Sequence, residues 1–373
     1  MKKYFWVGVA LILVGGLLVW RQNSAPTPLA GEPIKIGYIG PFTGPVAGTS
    51  GEDVANGWKL AVSKRPGAAG RPIEVIYEDD ACDPKQAVNA AQKLINIDKV
   101  NIVVNGVCSG SMVAVAPLTE AKDLILFTPV STSPKISDAG EYVFRTSGTG
   151  VNTASALVSS LEKFGHTKVA VLFEKVEYPI GIKDPFVAMF SEKPGNAILI
   201  EEGVNVNETD MRSQLSKVAQ TKPQALVVLT NSAITANTFV KQAKELGIAI
   251  PTFANEYFAF DVVVSNPDAE GIWAAQYKYE KENQDYINLL RDYEAEYGKR
   301  PSQAIYAALP FDGYNVLLDA IDACGGDEPA CVKDALHRVE NYKGITGAIT
   351  INDKGDTDRV FVLRQLVGGK FVD

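Results

Sequence analysis

The stretch PIEVIYEDDACDPKQAVNAAQKLINIDKVNIVVNG, residues 72–106, decides the fold. PIEVIYED (72–79) is rich in β-branched and aromatic residues and has strand length. Pro84 then opens an amphipathic run that reads as a helix to Ile97, and NIVVNG (101–106) is a second apolar strand. Strand, helix and strand in so short a span make a βαβ unit, whose right-handed crossover lays the two strands parallel. Upstream, IKIGYIG (34–40) precedes a helical stretch near 51–64; downstream, a helix starts at Ser109 and LILFTPV (124–130) is the next strand. A second cycle begins after FRTSGTG (144–150): a helix to Phe164, KVAVLFE (168–174), a helix after Pro179, AILIEEG (197–203), a helix from Asp210, QALVVLT (224–230), a helix over 232–246 and PTFAN (251–255). Long helices near 283–297 and 303–323 and a strand pair near 344–367 return to complete both halves. The expected fold class is α/β, with two doubly wound Rossmann-like lobes.

The composition agrees. The chain's 373 residues exceed what one hydrophobic core usually supports, and 46% hydrophobic with 21% charged residues is an ordinary globular balance. A net charge of −8 argues against a nucleic-acid surface, which needs clustered Lys and Arg. Lys2 and Lys3 precede an unbroken apolar stretch from Tyr4 to Trp20, so residues 1–24 read as a signal peptide or signal anchor that sends the chain out of the cytoplasm. Retention as an anchor is preferred, because Pro28-Leu29-Ala30 puts proline where a cleavage site wants a small residue. Residues 25–33, with Pro26, Pro28 and Pro33, read as a stiff linker. Cys82, Cys108, Cys324 and Cys331 form an even set in an exported chain, which favours disulfides, most simply Cys82–Cys108 and Cys324–Cys331. A Cys₄ zinc site is the alternative, without a C-x-x-C knuckle to support it.

Open parallel sheets bind ligands beyond the carboxyl ends of their strands. The loops to inspect are therefore 40–51, 106–111, 129–134, 174–181, 230–232 and 254–258. They carry little that suits catalysis. His166 and His337 sit at a helix end and on an amphipathic helix, Gly106-Val107-Cys108-Ser109-Gly110 has cysteine where a nucleophile elbow needs serine, and Gly148-Thr149-Gly150 lacks the third glycine of a dinucleotide fingerprint. Asp79, Asp80 and Asp83 surround Cys82 and fit a helix entry better than a metal. The loops hold instead short polar residues beside backbone donors. Ser109 opens a helix whose N–H groups suit an anion, with plain capping as the alternative reading. Thr132 and Ser133, between Pro129 and Pro134, form a rigid loop, with an ordinary turn as the alternative. Glu256 follows PTFAN on the other lobe and suits a cation. No enzyme activity, cofactor or metal is expected.

YEDDACDPKQAVNAAQKLIN (77–96), VCSGS (107–111) and PVSTSP (129–134), with IKIGYIGPFTGPVAG (34–48) and AEGIW (269–273), resemble the leucine/isoleucine/valine-binding family, the type I periplasmic solute-binding proteins of ABC importers. The resemblance spans nearly the whole chain after Gly31. It implies two lobes joined by a three-segment hinge, a Cys82–Cys108 bridge and a ligand in the cleft: residues 34–148 plus 278–352 as lobe 1, and 149–277 plus 353–373 as lobe 2. It places a carboxylate clamp on Ser109 and Thr132, ammonium partners on the Val130 carbonyl, Thr132 and Glu256, and an aromatic cover on Tyr178. Thr49 stands where the family often has tyrosine, and Thr230-Asn231-Ser232 replaces an aromatic-rich stretch, so Thr49 and Asn231 are expected to set the side-chain preference. The implied function is a monomeric extracytoplasmic receptor that delivers an amino acid to a membrane permease. The alternative is a sensor of the same fold that signals to a partner protein.

Overall fold

The computed structural model describes residues 29–372. The segment read as a signal peptide or anchor, 1–24, lies outside them. Of the linker, the described part is already docked: Ala30 N–H donates to the Gly70 carbonyl (2.9 Å), and the Arg71 guanidinium donates to the carbonyls of Glu32 (2.7 Å) and Pro33 (3.3 Å). Among the described residues, no helix is long and apolar enough to cross a membrane.

Two mixed sheets carry the fold. Strands β1 (Ile34–Gly40), β2 (Gly67–Ala68), β3 (Arg71–Asp79), β4 (Ile102–Asn105), β5 (Ile125–Thr128) and β6 (Val143–Arg145) form the first, in the order β2-β3-β1-β4-β5-β6. Strands β7 (Lys168–Glu174), β8 (Ala197–Val204), β9 (Ala225–Leu229), β10 (Thr252–Ala254) and β11 (Trp273–Tyr277) form the parallel part of the second. After a short hairpin of β12 (Tyr342–Gly344) and β13 (Gly347–Ile349), β14 (Phe361–Val367) and β15 (Lys370–Val372) extend that second sheet antiparallel, beside β11. The expected strand pair near 344–367 is therefore not a pair. β12 pairs with β13 and β14 with β11, because the chain crosses between lobes in the interval. The strands β2, β6, β11 and β15 are additions to the sequence reading.

Burial follows the two-residue period of a strand covered on both faces. In β9, Ala225, Val227 and Leu229 pack into one core and Leu226 and Val228 into another on the opposite face. In β1, Ile34, Ile36 and Tyr38 join one core while Ile39 joins a second. The helices α1 (Glu52–Lys64), α2 (Pro84–Lys93), α3 (Ser109–Glu120), α4 (Gly150–Lys163), α5 (Glu177–Ser191), α6 (Arg212–Gln220), α7 (Ala233–Glu245), α8 (Asp261–Val264), α9 (Gln284–Tyr297), α10 (Ala304–Cys324) and α11 (Pro329–His337) cover these faces. Pro84 at the first turn of α2, with the Asp83 carboxylate accepting from Gln86 N–H (2.9 Å), is an N-terminus built from the D-P pair seen in the sequence. α10 packs on α1 and supplies Tyr314, Leu317 and Ile321 to the core of the first sheet. The fold is thus two doubly wound lobes, and the chain passes between them after β6, after β11 and between β13 and β14.

Both disulfides are present, Cys82–Cys108 and Cys324–Cys331, and the zinc alternative falls with them. Their sequence separations are 26 and 7 residues. Closing such loops in the unfolded chain corresponds to about 3.5 and about 2.5 kcal/mol. Replacing each pair by serine should lower unfolding stability by roughly these amounts in denaturant titrations. Only the Cys82/Cys108 replacement should also weaken ligand binding, since only that bridge borders the cleft; equal binding losses for the two replacements would contradict this.

Candidate functional site

The carboxyl ends of the two sheets face each other, and the loops that follow their strands meet. Ser109 follows β4, Val130 to Ser133 follow β5, Glu174 ends β7 with Glu177 and Tyr178 after it, Asn231 follows β9 and Glu256 follows β10. The lobes are in contact across this cleft. Ser133 Oγ donates to Glu177 Oε1 (2.7 Å) and Lys135 Nζ lies 2.8 Å from Glu177 Oε2. Ser50 Oγ and the Tyr257 hydroxyl share a hydrogen bond of 3.1 Å, and Asn207 Nδ2 donates to the Pro45 carbonyl at 3.4 Å.

On the first lobe, Ser109 Oγ accepts from the backbone N–H groups of both Thr132 and Ser133, each at 3.3 Å. This joins the helix start and the PVSTSP loop into one unit. The Thr132 hydroxyl is buried and has no hydrogen-bond partner among the described residues. Val130 is buried beside it, its N–H held by Thr128 Oγ1 at 3.3 Å.

On the second lobe, Glu256 starts a short 3₁₀ turn (Glu256–Ala259) and is 2% exposed. Its Oε1 accepts from the Tyr306 hydroxyl at 3.5 Å, while Oε2 has no partner among the described residues. Burial pushes its carboxyl above the usual glutamate range; the hydroxyls of Tyr178 and Tyr306 pull the other way. Tyr178, Tyr257 and Tyr306 form an aromatic wall around it, with the Tyr178 and Tyr257 ring centroids 5.7 Å apart and those of Tyr257 and Tyr306 6.1 Å apart. Asn255 Nδ2 donates to the Tyr178 hydroxyl (3.0 Å) and fixes that ring.

The sequence-derived residues are not all in one chamber. Ser109, Tyr178 and Asn231 line a cavity of about 430 Å³ together with the Cys82–Cys108 bridge. Glu256 faces a second cavity of about 760 Å³ behind the tyrosines. Tyr178, whose hydroxyl reaches Glu256, stands between the two. Thr49, Val130 and Thr132 border neither cavity, and the Thr49 hydroxyl turns back to the Val46 carbonyl at 3.2 Å, so its neighbour Ser50 is the one that touches the opposite lobe.

Two residues not singled out in the sequence shape the site. Glu177 is the inter-lobe contact described above. Glu174 ends β7 fully buried and accepts from the backbone N–H groups of Asn231 and Asn207, fixing the loop that presents Asn231. Burial raises its carboxyl to about 7. The signal was legible: a charged residue closing the apolar run KVAVLFE at a strand end. Among the described residues, no group of three or more His, Cys, Asp or Glu could hold a metal.

Residues 33–370 match the family model described as periplasmic binding protein. The leucine-, isoleucine-, valine-, threonine- and alanine-binding protein of Pseudomonas aeruginosa is 29% identical over 336 residues, covering 88% of each chain. Among solved structures, a leucine-binding protein, LivK, of Thermotoga maritima superposes with a TM-score of 0.82 at 25% identity, covering 91% of this chain and 97% of that one. A solute-binding protein of an ABC transporter from Rhodopseudomonas palustris, in complex with 3,4-dihydroxybenzoic acid, gives 0.79 at 25% identity, covering 89% and 93%.

Two outcomes test this geometry. Glu177→Ala removes one inter-lobe ion pair and one hydrogen bond, and because Lys135 is largely exposed the loss amounts to at most about 1 kcal/mol, about a fivefold shift towards an open form. Small-angle scattering of the ligand-free protein should show a larger radius for the variant; identical profiles would refute a closing role. Glu174 has a folded pKa raised above its ordinary 4.5, so its favourable contribution is complete below pH 4.5 and is lost as pH rises through about 7. That interval corresponds to about 3 kcal/mol at most. Glu174→Gln should therefore gain stability relative to the parent between pH 4.5 and 8 in parallel melts, and a pH-independent difference would exclude this account.

Proposed function

The chain belongs to the periplasmic binding protein family, and from that premise we propose that it captures a free amino acid, branched-chain or related, and delivers it to an ABC permease. As in the family, its place is extracytoplasmic. We divide it as residues 34–148 with 278–352 against 149–277 with 353–373, a division supported by the sheet composition and by the packing of α10 on α1. The cleft closes between them.

The observation that supports the reading is a pair of unsatisfied buried oxygens among the strand-end loops, Thr132 Oγ1 on the first lobe and Glu256 Oε2 on the second. A hydroxyl beside a helix start suits a carboxylate, and a desolvated glutamate is costly until a cation meets it. An α-amino acid supplies both groups on one carbon, with Tyr178 beside it. An aromatic acid, such as the one bound by the Rhodopseudomonas relative, supplies only the anion and would leave Glu256 buried without a counter-charge. Asn231, polar where an aliphatic pocket would be apolar, supports a ligand of small or partly polar side chain.

A thermal-shift screen of the common amino acids identifies the ligand, because saturation at 100 times Kd stabilises by about 2.7 kcal/mol. Titration calorimetry then tests the roles. Glu256→Gln should weaken binding by about 30-fold to several thousand-fold, the range for leaving one charge of a buried pair unmatched. Thr132→Val should cost about 1–3 kcal/mol, since the neighbouring backbone donors remain. Near-parental affinity in a folded Glu256→Gln, or selective binding of hydroxybenzoates by the parent, would overturn the amino-acid assignment.

A further inference from the structure

Pro45 of the first lobe and Val206 and Asn231 of the second all line the cavity of about 430 Å³. Beside them the loop that follows β8 reaches across the cleft: Asn207 Nδ2 donates to the Pro45 carbonyl at 3.4 Å. The orientation of that amide is fixed from behind. Ser232 Oγ caps α7 by accepting from Ile234 N–H (3.1 Å) and Thr235 N–H (3.4 Å), which leaves its own hydrogen for Asn207 Oδ1, to which it donates. With Oδ1 taken, the amino end of the amide is the one that faces the first lobe.

The backbone of Asn207 is held as firmly. Its φ of 57° lies in the left-handed region, which asparagine tolerates better than most residues. Its N–H donates to Thr235 Oγ1 (2.9 Å) and to Glu174 Oε1 (3.3 Å), while Glu174 Oε2 accepts from Asn231 N–H. One buried carboxylate thus holds two loops, the one that presents Asn231 to the cavity and the one that touches the opposite lobe. A shift of either loop strains a bond to the same side chain, so the two positions are tied together.

We propose that Asn207 is a latch of the cleft, positioned by Glu174 and Ser232 so that it grips the first lobe when the Asn231 loop is in place. The inference rests on the reading that the cleft closes on its ligand, and it names a residue that holds the cleft shut. Asn207 is a positioning residue, since Asn231 and not Asn207 lines the cavity. Its partner on the first lobe is within reach only in the closed form. The latch therefore acts after the ligand has entered, and its loss speeds release while leaving entry alone.

Three variants test it. Asn207→Asp keeps the size, the left-handed backbone and the acceptor for Ser232, but turns an oxygen towards the Pro45 carbonyl; Asn207→Gly keeps the backbone and removes the side chain. Asn205→Asp is the control, placing the same charge two residues away on an exposed side chain that donates to Glu208 of its own loop (3.1 Å). Small-angle scattering of the ligand-free chain should give a larger radius for both Asn207 variants and the parental radius for Asn205→Asp. In rapid filtration with labelled L-leucine, dissociation from both Asn207 variants should be about fivefold faster or more, as for a lost hydrogen bond, with association within about twofold of the parent. Parental scattering in both Asn207 variants, the same change in Asn205→Asp, or slower association with unchanged dissociation overturns the proposal. A parent that does not bind L-leucine counts against the branched-chain reading alone, and the scattering then decides the latch.

Discussion

Two buried arginines hold the hinge together, and the rest of the cleft is positioned from them. Arg145, at the end of β6 and wholly inaccessible, pairs with Asp356 at 2.6 Å and donates to the Ser133 carbonyl at 2.8 Å. Arg359 donates to the carbonyls of Thr146 (3.0 Å) and Thr346 (3.1 Å). Asp312 on α10 accepts from Ile345 N–H and Thr346 N–H, each at 2.8 Å. Removing a guanidinium from water costs several kcal/mol and is tolerated only when each donor is met. Here the partners are the crossing segments themselves, so the first and third passages of the chain are locked to one another. The Ser133 carbonyl belongs to the PVSTSP loop, and the buried hydroxyl of Thr132 is thus set by the same charge that fixes the hinge.

That coupling gives a cleft with few direct contacts between its lobes a defined geometry. The direct contacts between lobes are few and include the largely exposed Lys135. The tyrosine wall adds apolar contact: Tyr178 and Tyr257 come from the second lobe, while Tyr306 comes from α10, which packs on the first. The contact between lobes therefore packs rings against rings, with Glu256 among them. A carboxylate enclosed by three phenols has hydrogen-bond donors but no fixed cation, so the site's electrostatics are incomplete on the protein side alone.

Much of this was legible in the sequence because the period of burial is a local property. Runs such as KVAVLFE and QALVVLT read as strands without knowing their neighbours, and the strand-end rule then named the loops carrying Ser109, Thr132, Tyr178, Asn231 and Glu256. The antiparallel addition of β14 to β11 was not legible, since pairing across a gap of more than eighty residues depends on where the hinge returns the chain. Nor was the role of Arg145: FRTSGTG shows an arginine after an apolar pair, but only the third crossing reveals its partner. Glu174 and Glu177 lay in a loop marked for inspection, yet glutamates outside the folded context look like solvated surface. Thr49 was singled out by its position in the motif, and the turn at 47–51 directs its hydroxyl back to Val46, leaving Ser50 as the residue that reaches across.

The two buried glutamates of the second lobe show why residue type alone does not assign a site. Each ends or follows a central strand, and each is raised in pKa by burial. Glu174 already accepts from two backbone N–H groups, and the Thr235 hydroxyl adds a third donor, so its capacity is taken up in fixing the Asn207 and Asn231 loops. Glu256 has no loop backbone to hold: its neighbours are the hydroxyls of Tyr178 and of Tyr306, the latter at 3.5 Å, and its Oε2 makes no hydrogen bond among the described residues. In the proposed function a cation would gain little from the first and much from the second, because an interaction already made cannot be made again. Hydrogen-bond saturation, more than charge or burial, separates the carboxylate that builds the pocket from the one able to recognise what enters it.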